Sequence, residues 1–197
     1  VNPIELVAAA LGVANIVLLV RRSVWNYPFG MAMVALYVFI FFEAKLYSEA
    51  GLQVFFFAMQ GWGWYLWLEA GGKAGSDSRI GDRRVPVRWL DWPSRVVWLV
   101  VTAALSLNLG WAMDRFTDAT VPYADSAISG ASVAAQILLA TRRVENWVLW
   151  IVIDVGAIAL YANRGLYPTM ALYVLFLAFS VVGLKEWIAA AKHKAAI

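Results

Sequence analysis

The sequence has no cysteine and a single histidine, His193, close to the C-terminus. Disulfides, thiolate nucleophiles and cysteine-based metal sites are therefore excluded. An intramembrane serine protease needs Ser and His in one site, and a metalloprotease needs clustered His or carboxylates; neither set is present. Charge is scarce as well: Asp, Glu, Lys and Arg make up 15% of the chain, against about 25% in a soluble domain. Regular alternation of apolar and polar residues is absent, which removes a lipid-spanning barrel. No basic patch is interleaved with aromatics, so the net charge of +3 does not read as nucleic-acid binding.

What is abundant is apolar surface. The 197 residues are 62% hydrophobic, with a mean hydropathy of +0.68. Runs free of Lys and Arg recur at 6–20, 25–42, 52–68, 96–113, 126–141, 146–162 and 168–184. Each approaches the ~20 residues that a helix needs to cross ~30 Å of hydrocarbon. An open sheet could not satisfy its backbone in lipid, so the runs predict seven membrane helices. The first run has no basic segment before it and no small-residue cleavage site, and is not read as a signal peptide.

Lys and Arg set the orientation. Thirteen of the sixteen would share one face of the membrane, and only Lys45, Arg115 and Arg164 the other. The first face is then cytoplasmic, with the N-terminus outside and the C-terminus inside. Tryptophans 25, 62, 89, 92, 111, 147 and 187 lie near run ends, where an interfacial belt is expected.

The chain also repeats itself. Residues 18–67 moved forward by 120 match at 13 of 50 positions, among them Arg22/Arg142, Asn26/Asn146, Gly63/Gly183 and Trp67/Trp187. Each half would hold three helices, so an odd helix must join them if both begin on the same face. The predicted fold is an all-α membrane protein in a 3+1+3 arrangement with parallel three-helix repeats. Residues 1–68 form the first repeat, 69–88 a cytoplasmic loop, 89–113 the linker helix and 126–191 the second repeat. Parallel three-helix repeats are the pattern of SWEET-type transporters, whose substrate site lies at mid-membrane where the repeats meet.

Two polar stripes fit such a site. Asn146, Trp150, Asp154, Ala157 and Tyr161 fall within about 80° of one another on a helix, as do Gln53, Phe57, Gln60, Trp64 and Trp67. A carboxylate at a helix centre costs roughly 2.5–3.5 kcal/mol on insertion scales and normally faces a cavity or a partner. The same residues also fit a purely structural reading, with Asp154 in a hydrogen-bond network and the glutamines as interhelical glue. Gly61 and Gly63 would let neighbouring helices approach. Asn15 and Asn108 read more as glue than as ligands, Asn26 as a brace near Pro28, and Tyr37 as either. Amides match a carboxamide or sugar hydroxyls, tryptophan faces suit a flat cationic ring, and a carboxylate suits a cation or a diol. The implied ligand is small, polar and aromatic. A retinal protein would need a mid-helix lysine, and Lys185 sits at a helix end.

The stretches NYPFG (26–30), LYSEAGLQ (46–53), QGWGWYLW (60–67), ENWVLWIVIDV (145–155) and RGLYPTMALY (164–173) together resemble the PnuC family of nicotinamide riboside transporters. The resemblance covers almost the whole chain. It implies a multi-pass protein of the bacterial inner membrane, related to SWEET proteins and often homotrimeric. It also implies vitamin B3 uptake by facilitated diffusion, with no cofactor and no chemistry of its own. A separate cytoplasmic riboside kinase would keep uptake going. Gln53, Gln60, Trp64, Asn146, Trp150 and Asp154 are the implied substrate contacts, with Tyr37 and Asn108 as further candidates. Relatives that carry thiamine or riboflavin, and proton coupling through Asp154, are the alternatives.

Overall fold

The computed structural model describes residues 3–43, 47–77, 85–116, 122–163 and 167–195. Among them the chain forms seven helices and no strand: α1 (Pro3–Val20), α2 (Asn26–Glu43), α3 (Tyr47–Asp77), α4 (Trp92–Phe116), α5 (Pro122–Ala140), α6 (Glu145–Asn163) and α7 (Tyr167–Ala195). Pro3, Pro28, Pro93, Pro122 and Pro168 all lie within the first three residues of a helix. There the missing N–H costs nothing and the fixed φ already suits the turn. Two boundaries differ from expectation. Helix α3 runs on through Asp77 rather than ending at residue 68, because extending a formed helix through Glu69, Ala70, Lys73 and Ala74 is cheap and outweighs three glycines. Helix α4 begins at Trp92 rather than Trp89, since residues 87–91 are held in an extended segment described below.

The chain divides into two compact units, residues 1–86 and 87–197. In the first, α2 packs against both α1 and α3; in the second, α6 packs against α5 and α7, and α4 packs against α5. The α4–α5 contact runs over small residues: a Cβ on Gly130 would meet the backbone of Ser106, and one on Gly110 would meet the Tyr123 ring. Along its length α4 buries only Gly110 and leaves Leu99, Val100, Leu107 and Trp111 exposed. An apolar helix of 25 residues, ~37 Å long, with bare side chains on the faces turned away from α5 fits lipid and not water. The segment Tyr173–Lys192 of α7 is likewise long and apolar enough to cross a membrane.

The tryptophan belt needs correction. Trp25, Trp62, Trp89, Trp92 and Trp111 are exposed, but Trp147 and Trp187 are fully buried. Their rings meet edge to face at 5.6 Å, and Gly183 leaves room for the Trp147 ring, which a Cβ there would approach to 2.5 Å. The first unit holds the same wedge: Tyr27 meets Trp67 edge to face at 5.3 Å, over Gly63. Gly61, by contrast, faces no neighbour within 4 Å, so only one of the two glycines brings helices together.

Candidate functional site

Helices α2 and α6 start from the same turn. Arg22 and Arg142 adopt left-handed φ angles of 57° and 61°, closing α1 and α5 through backbone bonds to Leu19 and Leu139. The next helix is then braced by an asparagine: the Asn26 amide donates to the Ser23 carbonyl at 2.6 Å, and Asn146 to Arg143 at 2.5 Å. A left-handed arginine costs roughly 1–2 kcal/mol, so the surrounding bonds must over-determine the turn. The turn thereby fixes the rotation of α2 and α6, and with it which face each buries.

On α6 the buried face is the expected stripe. Asn146, Asp154 and Ala157 are buried and Trp150 is half-buried, while Val148, Val152 and Val155 are exposed on the other side. Asp154 is 3% exposed and accepts a hydrogen bond of 2.9 Å from the Ser180 hydroxyl on α7. A carboxylate has room for about four hydrogen bonds, and among the described residues Ser180 is the partner it has. The Asn146 amide oxygen is also buried, without a partner among the described residues. So this face combines a carboxylate, an unsatisfied amide oxygen and an indole. Ser180 was not singled out from the sequence. The repeat could have found it, because Ser180 is the position matched to Gln60 by the shift of 120.

In the first unit, the side-chain amides of Gln60 on α3 and Asn15 on α1 both come against Gly30 on α2. A Cβ at Gly30 would stand 2.5 Å from one and 2.7 Å from the other. Asn15 donates to the Asn26 carbonyl at 2.6 Å, the interhelical glue expected of it. The α3 stripe is split by burial. Gln60 and Trp67 are buried, Gln53 and Trp64 are half-buried, and Phe57 is exposed. Trp64 lines an open apolar groove of about 190 Å³ with Val24, Trp25, Pro28 and Leu68. Tyr37 is half-buried on α2. Asn108 belongs to α4 and to neither polar stripe. It is exposed on α4 and its amide donates back to the Ala104 carbonyl one turn earlier, at 2.7 Å. The Tyr161 side chain lies outside the described residues. Among the described residues there is no cluster of three metal-ligating side chains.

Residues 2–189 match the profile of the family described as nicotinamide mononucleotide transporter. The protein of Escherichia coli (strain K12) named nicotinamide riboside transporter PnuC is 29% identical over 97% of this chain and 87% of its own length. The riboflavin/roseoflavin transporter RibM of Streptomyces davaonensis is 26% identical over 93% of this chain and 83% of its own. In fold, the chain is similar to the crystal structure of the vitamin B3 transporter PnuC, with a TM-score of 0.76 and 24% identity over 95% of this chain and 81% of that one. An all-helical chain and a family match over nearly its full length lead to one assignment: the chain belongs to the nicotinamide mononucleotide transporter family and is a membrane transporter.

Proposed function

We propose that the protein carries nicotinamide riboside across the bacterial inner membrane by facilitated diffusion, with alternating access. The observation that carries this reading is the α6 face, where the buried Asp154, hydrogen-bonded to Ser180 of α7, and the half-buried Trp150 lie on one side of the helix. A pyridinium ring stacks on an indole and is attracted to a carboxylate. The ribose diol and the carboxamide match carboxylate and amide partners. Asn146, Trp150 and Asp154 are the substrate contacts of the second unit; Gln53, Gln60, Trp64 and Tyr37 are those of the first. Asn108 is the weakest member of the set, since its amide is already committed to its own helix.

The free riboside fits better than its phosphorylated form. A phosphate adds about −1.5 to −2 charges, and none of the seven apolar runs contains a Lys or Arg to meet it. Asp154 would repel it. A separate cytoplasmic kinase would phosphorylate the riboside after entry and hold the gradient inward. The seven helices span the membrane as 3+1+3, with parallel repeats of SWEET type and the basic turns and C-terminus in the cytoplasm. The assembly is a homotrimer, to be checked by its mass in detergent.

The test is a binding and counterflow screen of the reconstituted protein against nicotinamide riboside, nicotinamide mononucleotide, nicotinic acid, thiamine and riboflavin. The riboside should bind tightest and exchange without a pH or Na⁺ gradient. Preference for riboflavin, the substrate class in the name of one relative, would overturn the assignment. Uphill uptake driven by a proton gradient and abolished by Asp154→Asn would replace facilitated diffusion with coupling.

A further inference from the structure

One acidic residue of the α6 stretch has no part in the proposed site. Glu145 is the first residue of α6, and three polar contacts converge on its carboxylate. The Leu90 backbone N–H reaches both oxygens, at 3.0 and 3.1 Å, and Arg95 Nε donates at 2.8 Å. The carboxylate is 14% exposed and Arg95 40% exposed. Its place at a helix N-terminus favours the negative charge. Neither partner is held by the carboxylate alone. The Arg95 guanidinium lies 5.2 Å over the Trp89 ring, and Arg143 donates to the Trp89 carbonyl at 3.2 Å. Just before them, Arg88 forms a parallel bridge to the α5–α6 turn, giving its N–H to Arg142 and accepting from Val144. Residues 88–90 are thus laid along 142–145 and closed by one carboxylate, immediately before α4 starts at Trp92.

The repeat shows that this arrangement is not needed to build the turn. Trp25, the position matched to Glu145, is 68% exposed and carries no carboxylate, yet the α1–α2 turn has the same left-handed arginine and the same asparagine brace. The acid serves something other than turn formation. It binds the start of α4 to the start of α6, and Asp154 follows nine residues later, about 13 Å along the same rigid helix.

We propose that Glu145 is a positioning residue for transport: it latches the segment leading into α4 onto the first turn of α6, so that both helices move as one body and α6 keeps the pose in which it presents Trp150 and Asp154. This rests on the transport reading above. Equilibrium binding draws α6 back into that pose, so affinity is little affected when the latch is cut. Turnover, which carries α6 with α4 in every cycle, suffers more.

The test uses the full chain in proteoliposomes. Glu145→Ala should lower the maximal rate of riboside counterflow roughly 10-fold, about the worth of a charge-assisted hydrogen bond, with KM changed less than about 3-fold on the same scale. Glu145→Gln should recover most of the rate, because its amide oxygen still accepts from Leu90. Arg95→Ala supplies a second break should Glu145→Ala fail to fold. An unchanged rate in folded, monodisperse protein overturns the proposal. A raised KM at unchanged maximal rate overturns it too, by making Glu145 a substrate contact. Amide hydrogen exchange across 87–92 reads the latch without any substrate and should accelerate in Glu145→Ala; unchanged exchange removes the latch. Wild type that exchanges no riboside sinks the transport reading, and the exchange arm still judges the latch.

Discussion

The two units share a frame and differ in what they put inside it. Position for position at a shift of 120, both have the left-handed arginine, the asparagine brace, and an aromatic wedge over a glycine. One layer further along, the side chains exchange size. The first unit has Gly30 and Gln60, and the long amide fills the space the glycine leaves. At the matching positions the second unit has Trp150 and Ser180, a large ring and a short hydroxyl, and Asp154, which accepts from Ser180, replaces Val34. The lesson is that the wedge and turn set the helix geometry in both halves, and that this leaves the neighbouring layer free to diverge. In the second unit that layer became anionic and aromatic; in the first it became amide-lined.

If the frame is shared, Gly63→Ala and Gly183→Ala should destabilise the protein alike, by about 1–3 kcal/mol each. In both, a methyl is driven into a rigid ring that is already packed on its far side. Melting in detergent measures this. A large loss at one glycine and none at the other would mean that the two wedges do unequal work.

The divergent layer should be separable from stability. Trp150→Ala should weaken riboside affinity by about 1–2 kcal/mol, or roughly 5- to 30-fold, through lost stacking and cation–π attraction, while Trp150→Phe keeps much of it. Trp25→Ala, exposed at the edge of the apolar groove, should leave affinity alone. Titration calorimetry on monodisperse protein decides. Trp150→Ala protein that binds as well as wild type would make the α6 stripe structural.

The asparagines probe both layers at once. Asn26→Ala and Asn146→Ala each remove one brace, and each should cost about 0.5–1.5 kcal/mol of stability. Only Asn146→Ala should also weaken riboside binding, because its buried amide oxygen is left for the ligand. Equal loss of affinity in both variants would erase the distinction between the units.

Much of this was legible in the chain. The seven apolar runs appear as seven helices among the described residues, and prolines mark five of the helix starts. The shift of 120 anticipated the Asn26/Asn146 and Trp67/Trp187 pairs, because a repeated turn needs the same residues wherever it is built. The α6 stripe lies on a buried face as its spacing required, since 3.6-residue periodicity fixes which side chains share a side.

Tertiary packing decided the rest. Trp147 and Trp187 read as interfacial from their places near run ends. Only the closeness of α7, allowed by Gly183, made them core. Nothing local distinguishes Gly61 from Gly63; the distinction is that Tyr27 stands over one and nothing over the other. Ser180 became the partner of Asp154 because two antiparallel helices brought together residues 26 apart, and Glu145 met Leu90 and Arg95 across 55 and 50 residues. The sequence by itself determined the helices, their repeat and the face each presents, because those follow from composition and local periodicity. Which polar groups became partners was decided only by tertiary structure, because hydrogen bonds form at about 3 Å between atoms whose positions the whole chain sets.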